Sequence, residues 1–130
     1  SSGAHDQLSV GHVDHAAMMA AAQLHTRPVG IIGGMGPAAG ADFVRLFVDA
    51  CNAYLTRGGF KVIDQAYPEH WLVQVPVPDR TEALCNGHDA PLPALQYAVE
   101  RLQTCGANAV AIACNTAHAW HAKLQQKYPQ

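Results

Sequence analysis

A chain of 130 residues has length for one domain; about half of it is apolar and 14% is charged, the balance of a globular chain that buries roughly two-thirds of its unfolded surface. Its formal net charge is −2 and its lysines and arginines are scattered, which argues against the basic stripe of a nucleic-acid surface. The glycine-rich uncharged stretch, residues 28–41, is broken by five glycines and two prolines and falls short of the ~18 apolar residues a membrane helix needs.

The first 27 residues read as an N-terminal extension. Ser1, Ser2 and Gly3 look like a cloning scar, and Met18 or Met19 is a possible native start. The apolar run 16–24 has no basic region before it and Asp14 at its edge, so a short extra helix fits better than a signal peptide. The domain proper is expected over 28–130.

Regular patterning begins there. Val29, Gly30, Ile31 and Ile32 form a short apolar run, as a buried parallel strand should. Gly33, Gly34, Met35 and Gly36 lead to Pro37, which suits the first turn of a helix because its missing N–H would have had no partner. In that helix Phe43, Leu46, Phe47, Ala50, Cys51 and Tyr54 recur at three- and four-residue spacing as one apolar face, and Gly58 and Gly59 end it. The run 61–63 fits a hairpin arm or a loop. Residues 71–75 form a second strand, followed by a proline-punctuated loop, 76–81. A second helix begins near Pro91, with Leu92, Leu95, Val99 and Leu102 inward and Gly106 placed to stop it. Residues 109–113 are a third strand, and a third helix packs Ala117, Trp120, Leu124 and Tyr128.

Strand–helix alternation predicts an α/β fold, a parallel sheet with flanking helices, doubly wound in the flavodoxin-like manner. Ligands of such sheets sit beyond the carboxyl ends of the strands, where the loops after Ile32, Val75 and Ala113 meet. Residues 33–37 offer backbone N–H groups at a helix N-terminus, suited either to an anion or simply to a tight turn. The GxGxxG/A match there lacks a clearly placed acidic partner about 20 residues on. Arg80 either clamps a carboxylate or pairs at the surface with Asp79 or Glu82. Cys114, where a buried strand gives way to a helix, is either a packing cysteine or a thiol activated by the helix's positive end, with Asn115 and Thr116 beside it. Cys51, Cys85, Cys105 and Cys114 show no CxxC spacing, so reduced thiols in a cytoplasmic protein are expected. His118 and His121 lie one turn apart without a third ligand, and no metal is expected.

Three motifs in register, residues 31–37, 78–81 and 114–118, closely resemble the first half of the aspartate/glutamate racemase family, over about 29–130. The resemblance implies racemisation of a small acidic amino acid without pyridoxal phosphate or any other cofactor, by two cysteines facing opposite sides of the α-carbon. By it Cys114 is the first catalytic thiol; Met35, Gly36, Pro37, Asn115 and Thr116 line the substrate; and Arg80 holds a carboxylate. It also implies that the chain is the incomplete first domain of a two-domain racemase, ending before the second thiol. A homo-oligomer, most simply a dimer, is expected, with neither nucleic acid nor membrane as partner. Gly40 stands where the family pattern has threonine, and Gln74 with Val75 where it has Asn-Pro; both departures bear on side-chain specificity. Competing readings are a hydantoin racemase, maleate isomerase or glutamate racemase relative, a nucleotide- or anion-binding module using the glycine loop, and a binding protein that has lost catalysis.

Overall fold

The computed structural model describes residues 27–129. The expected cloning scar and the helix over 16–24 lie outside these residues. The elements run β1 (Val29–Gly33), α1 (Pro37–Arg57), a 3₁₀ turn (Asp64–Ala66), β2 (His70–Gln74), α2 (Arg80–Asn86), α3 (Pro91–Thr104), β3 (Ala109–Ile112), a 3₁₀ turn (Thr116–Trp120) and α4 (His121–Lys127). The strands form one parallel sheet in the order β2-β1-β3, the start of a flavodoxin-like α/β fold.

The pleat decides which side chains meet which helix. Val29, Ile31 and Gly33 point to one face, where a Cβ on Gly33 would lie 3.0 Å from the Gly40 backbone of α1. Gly30 and Ile32 point to the other, where a Cβ on Gly30 would meet Leu102 of α3 at 2.8 Å. Helices α1 and α3 thus cover opposite faces, as right-handed crossovers require when the chain first steps from β1 to β2 and then returns past β1 to β3. The direction of winding reverses between β1 and β3, and the crevice of an open α/β sheet opens at that reversal.

The core lies on the α3 side. Ile32, Val77, Ala83, Leu95, Ala98, Val99, Leu102, Ala117, Trp120 and Leu124 pack there as one cluster, with Tyr128 at its margin. The inward faces read for the second and third helices are therefore the ones that pack. Helix α3 stops as its sequence predicts. Gly106 has φ +88°, its N–H reaches Gln103 O at 2.9 Å, and Ala107 N–H reaches Leu102 O at 3.0 Å, the paired bonds of a left-handed glycine cap. Gly59, at φ +71°, ends α1 in the same way.

Two local expectations change, and the open reading of residues 61–63 is decided. The apolar stripe of α1 is only half covered: Gly40 and Leu55 are buried, whereas Leu46 and Tyr54 remain 52% and 44% exposed. The helix lies over β1 and β2, and β3 keeps a largely open face. Residues 61–63 are an exposed loop, with no strand pairing. The loop after β2 is shorter than expected, because a helix begins at Arg80. Asp79 caps it, its Oδ1 accepting the Glu82 N–H at 2.8 Å, and Gly87 at φ +66° closes it. No helix among the described residues is long and apolar enough to cross a membrane.

Candidate active site

At the carboxyl end of the sheet, between the loops after β1 and β3, an open cleft of about 440 Å³ is walled by Met35, Ala39, Asp42, Phe43, Leu46, Ile112, Ala113, Cys114 and Asn115. It occupies the point of winding reversal. Met35 is buried, its side chain joining the core beneath the cleft. Gly36 and Pro37 are exposed at the start of α1 and are not among the lining residues. Gly34, at φ +92°, crosses against the Val75 backbone so tightly that any side chain there would collide with it.

Cys114 follows β3 and is half-buried. Its Sγ lies 3.3 Å from Thr116 Oγ1, and its carbonyl accepts the Nδ1–H of His118 at 2.7 Å. Burial by itself would raise the thiol pKa. The Thr116 hydroxyl, the backbone N–H of Ala117, and the hydrogen bonding and charge of Arg80 outweigh it, and the net displacement is downward. The expected helix dipole takes a more local form: the chain after Asn115 is a five-residue 3₁₀ turn, so Ala117 N–H is the backbone donor that counts. Cys51 contrasts with this. Burial pushes its thiol up, and it lines a separate apolar hollow with Val29 and Ala109, at the opposite end of the strands.

Arg80 reaches the same thiol from the start of α2. Its Nη1 donates to Val77 O at 3.2 Å, and its Nε is shielded from solvent without a hydrogen-bond partner among the described residues. The surface pairing considered for it does not form. Asp79 is committed to the helix cap, and the Glu82 carboxylate accepts from Asn86 at 2.7 Å and His88 at 3.0 Å. Those two donors, His88 foremost, hold Glu82 below the ordinary carboxylate range. Arg80 is thus left without a carboxylate and beside a thiol.

The two departures at 40 and 74 turn out to be one feature. A Cβ on Gly40 would lie 2.5 Å from Gln74 Oε1, and one on Gly33 2.8 Å from the same atom. The Gln74 amide occupies space that a threonine at 40 would need. Neither residue is part of the cleft lining. Sequence reading passed over two participants, the Ala117 N–H and Asp42. Asp42 had a signal, since it follows Ala39 by three residues and precedes Leu46 by four, the period of one helix face.

Residues 32–130 match the Asp/Glu/Hydantoin racemase family. The chain is also similar to the broad specificity amino-acid racemase RacX of Bacillus subtilis (strain 168), 30% identical over 98 residues. That match covers 75% of this chain and 41% of the relative, so the chain spans well under two-thirds of the relative's length.

Proposed function

Because this chain belongs to the Asp/Glu/Hydantoin racemase family, we propose that it supplies one half of the catalytic centre of a cofactor-independent amino-acid racemase, with Cys114 as one of two acid–base thiols. The observation that carries the reading is the convergence of Thr116, Ala117 N–H and Arg80 on one sulfur at the mouth of a cleft. Three donors of that kind favour thiolate over thiol, and a base must be deprotonated before it can take a proton.

The Cys114 thiolate removes the α-proton from one face of the substrate and becomes a thiol. The electron pair left on the α-carbon spreads into the α-carboxylate, where Arg80, Asn115 and Thr116 stabilise the growing charge. A second thiol on the opposite face returns a proton, inverting the centre, and is left as the thiolate that starts the reverse reaction. Cys51 lies at the far end of the strands, Cys105 caps the end of α3 and the exposed Cys85 of α2 does not line the cleft, so we assign the second thiol to a part of the whole protein outside these residues. The motif resemblance on its own favours an acidic side chain in the substrate.

The test uses the whole protein with Cys114→Ala. Inversion should cease in both directions, while the opposing thiol still exchanges the α-proton of one enantiomer with solvent deuterium. Continued inversion would make Cys114 a packing residue and overturn the assignment.

A further inference from the structure

We infer that His118 is the positioning residue of the Cys114 turn: its ring donates to the Cys114 carbonyl and so leaves the Ala117 N–H free for the sulfur. The inference deepens the reading of Cys114 as a thiol base and rests on it. In a 3₁₀ turn each carbonyl receives the N–H three residues on. The Asn115 carbonyl follows that rule and receives the His118 N–H at 3.1 Å. The Cys114 carbonyl does not. The donor it would ordinarily receive, Ala117 N–H, is directed to Cys114 Sγ, and no backbone N–H reaches this carbonyl among the described residues.

The His118 ring stands in for the missing bond. Its Nδ1 lies 2.7 Å from Cys114 O, and because a carbonyl can only accept, Nδ1 carries the proton. A carbonyl left without that donor would draw Ala117 N–H back into the ordinary 3₁₀ bond, and the sulfur would lose it. The same rotation would disturb Thr116, whose Oγ1 sits 3.3 Å from Sγ.

The ring acts through this backbone and not by a charge of its own. Burial disfavours the thiolate, and the groups that favour it are Thr116, Ala117 N–H and Arg80; His118 is not one of them. Nor does His118 hold the turn on the protein. Ala117 and Trp120 are buried, and Trp120 Nε1 donates to Asp89 Oδ1 at 2.9 Å, which ties the far end of the turn to the segment before α3. His118 is itself exposed, so its loss should leave the fold standing and be felt at the sulfur.

The experiment compares His118→Ala, His118→Gln and His118→Asn with the unaltered whole protein, by iodoacetamide rates at Cys114 from pH 5 to 10 and by urea unfolding. The asparagine amide can place an N–H where Nδ1 stands, whereas the glutamine amide reaches toward the position of Nε2. His118→Ala and His118→Gln should raise the ionisation midpoint of Cys114 and slow its alkylation at neutral pH by about fivefold, since each of two donors supplies roughly two- to threefold. His118→Asn should bring the rate back to within about twofold of the unaltered protein, although it carries no titratable charge. The urea midpoints of all three should stay together. A His118→Ala curve superimposed on that of the unaltered protein, or an Asn variant no better than the Gln variant, would overturn the positioning role. Slowing matched by a shared fall in the urea midpoints would overturn it too, making His118 a residue of general stability. Alkylation needs no turnover, so the two readings fail separately: a protein that shows the expected alkylation pattern yet inverts no amino acid would overturn the racemase reading and leave the role of His118 at the thiol intact.

Discussion

Replacing Thr116 by valine keeps the side chain's shape and removes the hydroxyl that lies 3.3 Å from Cys114 Sγ. A hydrogen bond to a charged group contributes roughly 1.5–3 kcal/mol when shielded. Here the acceptor is a diffuse sulfur and the residue is only half-buried, so about 1 kcal/mol is the appropriate scale. At a pH below the thiol's midpoint, that loss reduces the thiolate fraction about fivefold. The remaining thiolate is more basic and more nucleophilic, and with a Brønsted slope of about 0.4–0.5 it recovers about half the logarithmic loss. The net effect is a two- to threefold slower alkylation at neutral pH, roughly. Above both midpoints the sign reverses, because all the thiol is ionised and the variant's thiolate is the better nucleophile. Iodoacetamide rates from pH 5 to 10, read at the Cys114 peptide by mass spectrometry with Cys85 as internal reference, should therefore give two curves that cross. Superimposed curves would show that Thr116 does not stabilise the thiolate. A uniform slowing at every pH would point to altered access and refute the electrostatic account.

Further expectations follow from the same geometry. Arg80→Ala should weaken substrate binding by about 2 kcal/mol and slow Cys114 alkylation, and Arg80→Lys should restore the alkylation rate better than the binding, because a point charge cannot reproduce a two-pronged contact; unchanged KM and alkylation in Arg80→Ala would remove it from the site. Cys114, with its pKa lowered, should ionise and be alkylated at lower pH than Cys51, whose pKa burial raises, and the gap should narrow as the solution is made alkaline; equal rates at pH 6 would contradict this. Asp79→Ala should cost about 1 kcal/mol in urea-unfolding stability through the lost helix cap, and should slow Cys114 alkylation by loosening the turn that carries Arg80. Leu95→Ala, at a fully buried core position, should cost about 2–5 kcal/mol in the same unfolding assay, and a loss below 1 kcal/mol would mean the α3 face is not the core. Residues 1–130 alone should not interconvert D and L amino acids, since one thiol cannot serve both faces of the α-carbon; chiral chromatography showing turnover would refute the two-thiol mechanism.

The sequence by itself determined what depends on local chemistry. Three apolar runs punctuated by glycine or proline placed the strands, and the spacing of Leu95, Val99 and Leu102 identified the face of α3 that packs. Gly59 and Gly106 marked helix ends because a left-handed cap admits few other residues. The position of Cys114 after a buried strand, beside Asn115 and Thr116, made it a candidate thiol, and the motif resemblance put it ahead of the other cysteines. The helix at Arg80 was legible too, in the Asp79-to-Glu82 spacing that caps it, but the flanking prolines masked that signal. Other features required the tertiary structure. The α1 stripe is periodic enough to promise a buried face, yet how much of it is covered depends on which strands lie beneath it, and β3 lies outside its reach. Gly40 and Gln74 are 34 positions apart and show their dependence only when β2 and α1 bring the amide over the glycine. The same holds for Arg80 and Cys114, and for Asp42 on the cleft wall. Proximity between residues on different crossovers follows from strand order and from which face each helix covers, and a linear pattern of side chains encodes neither distance.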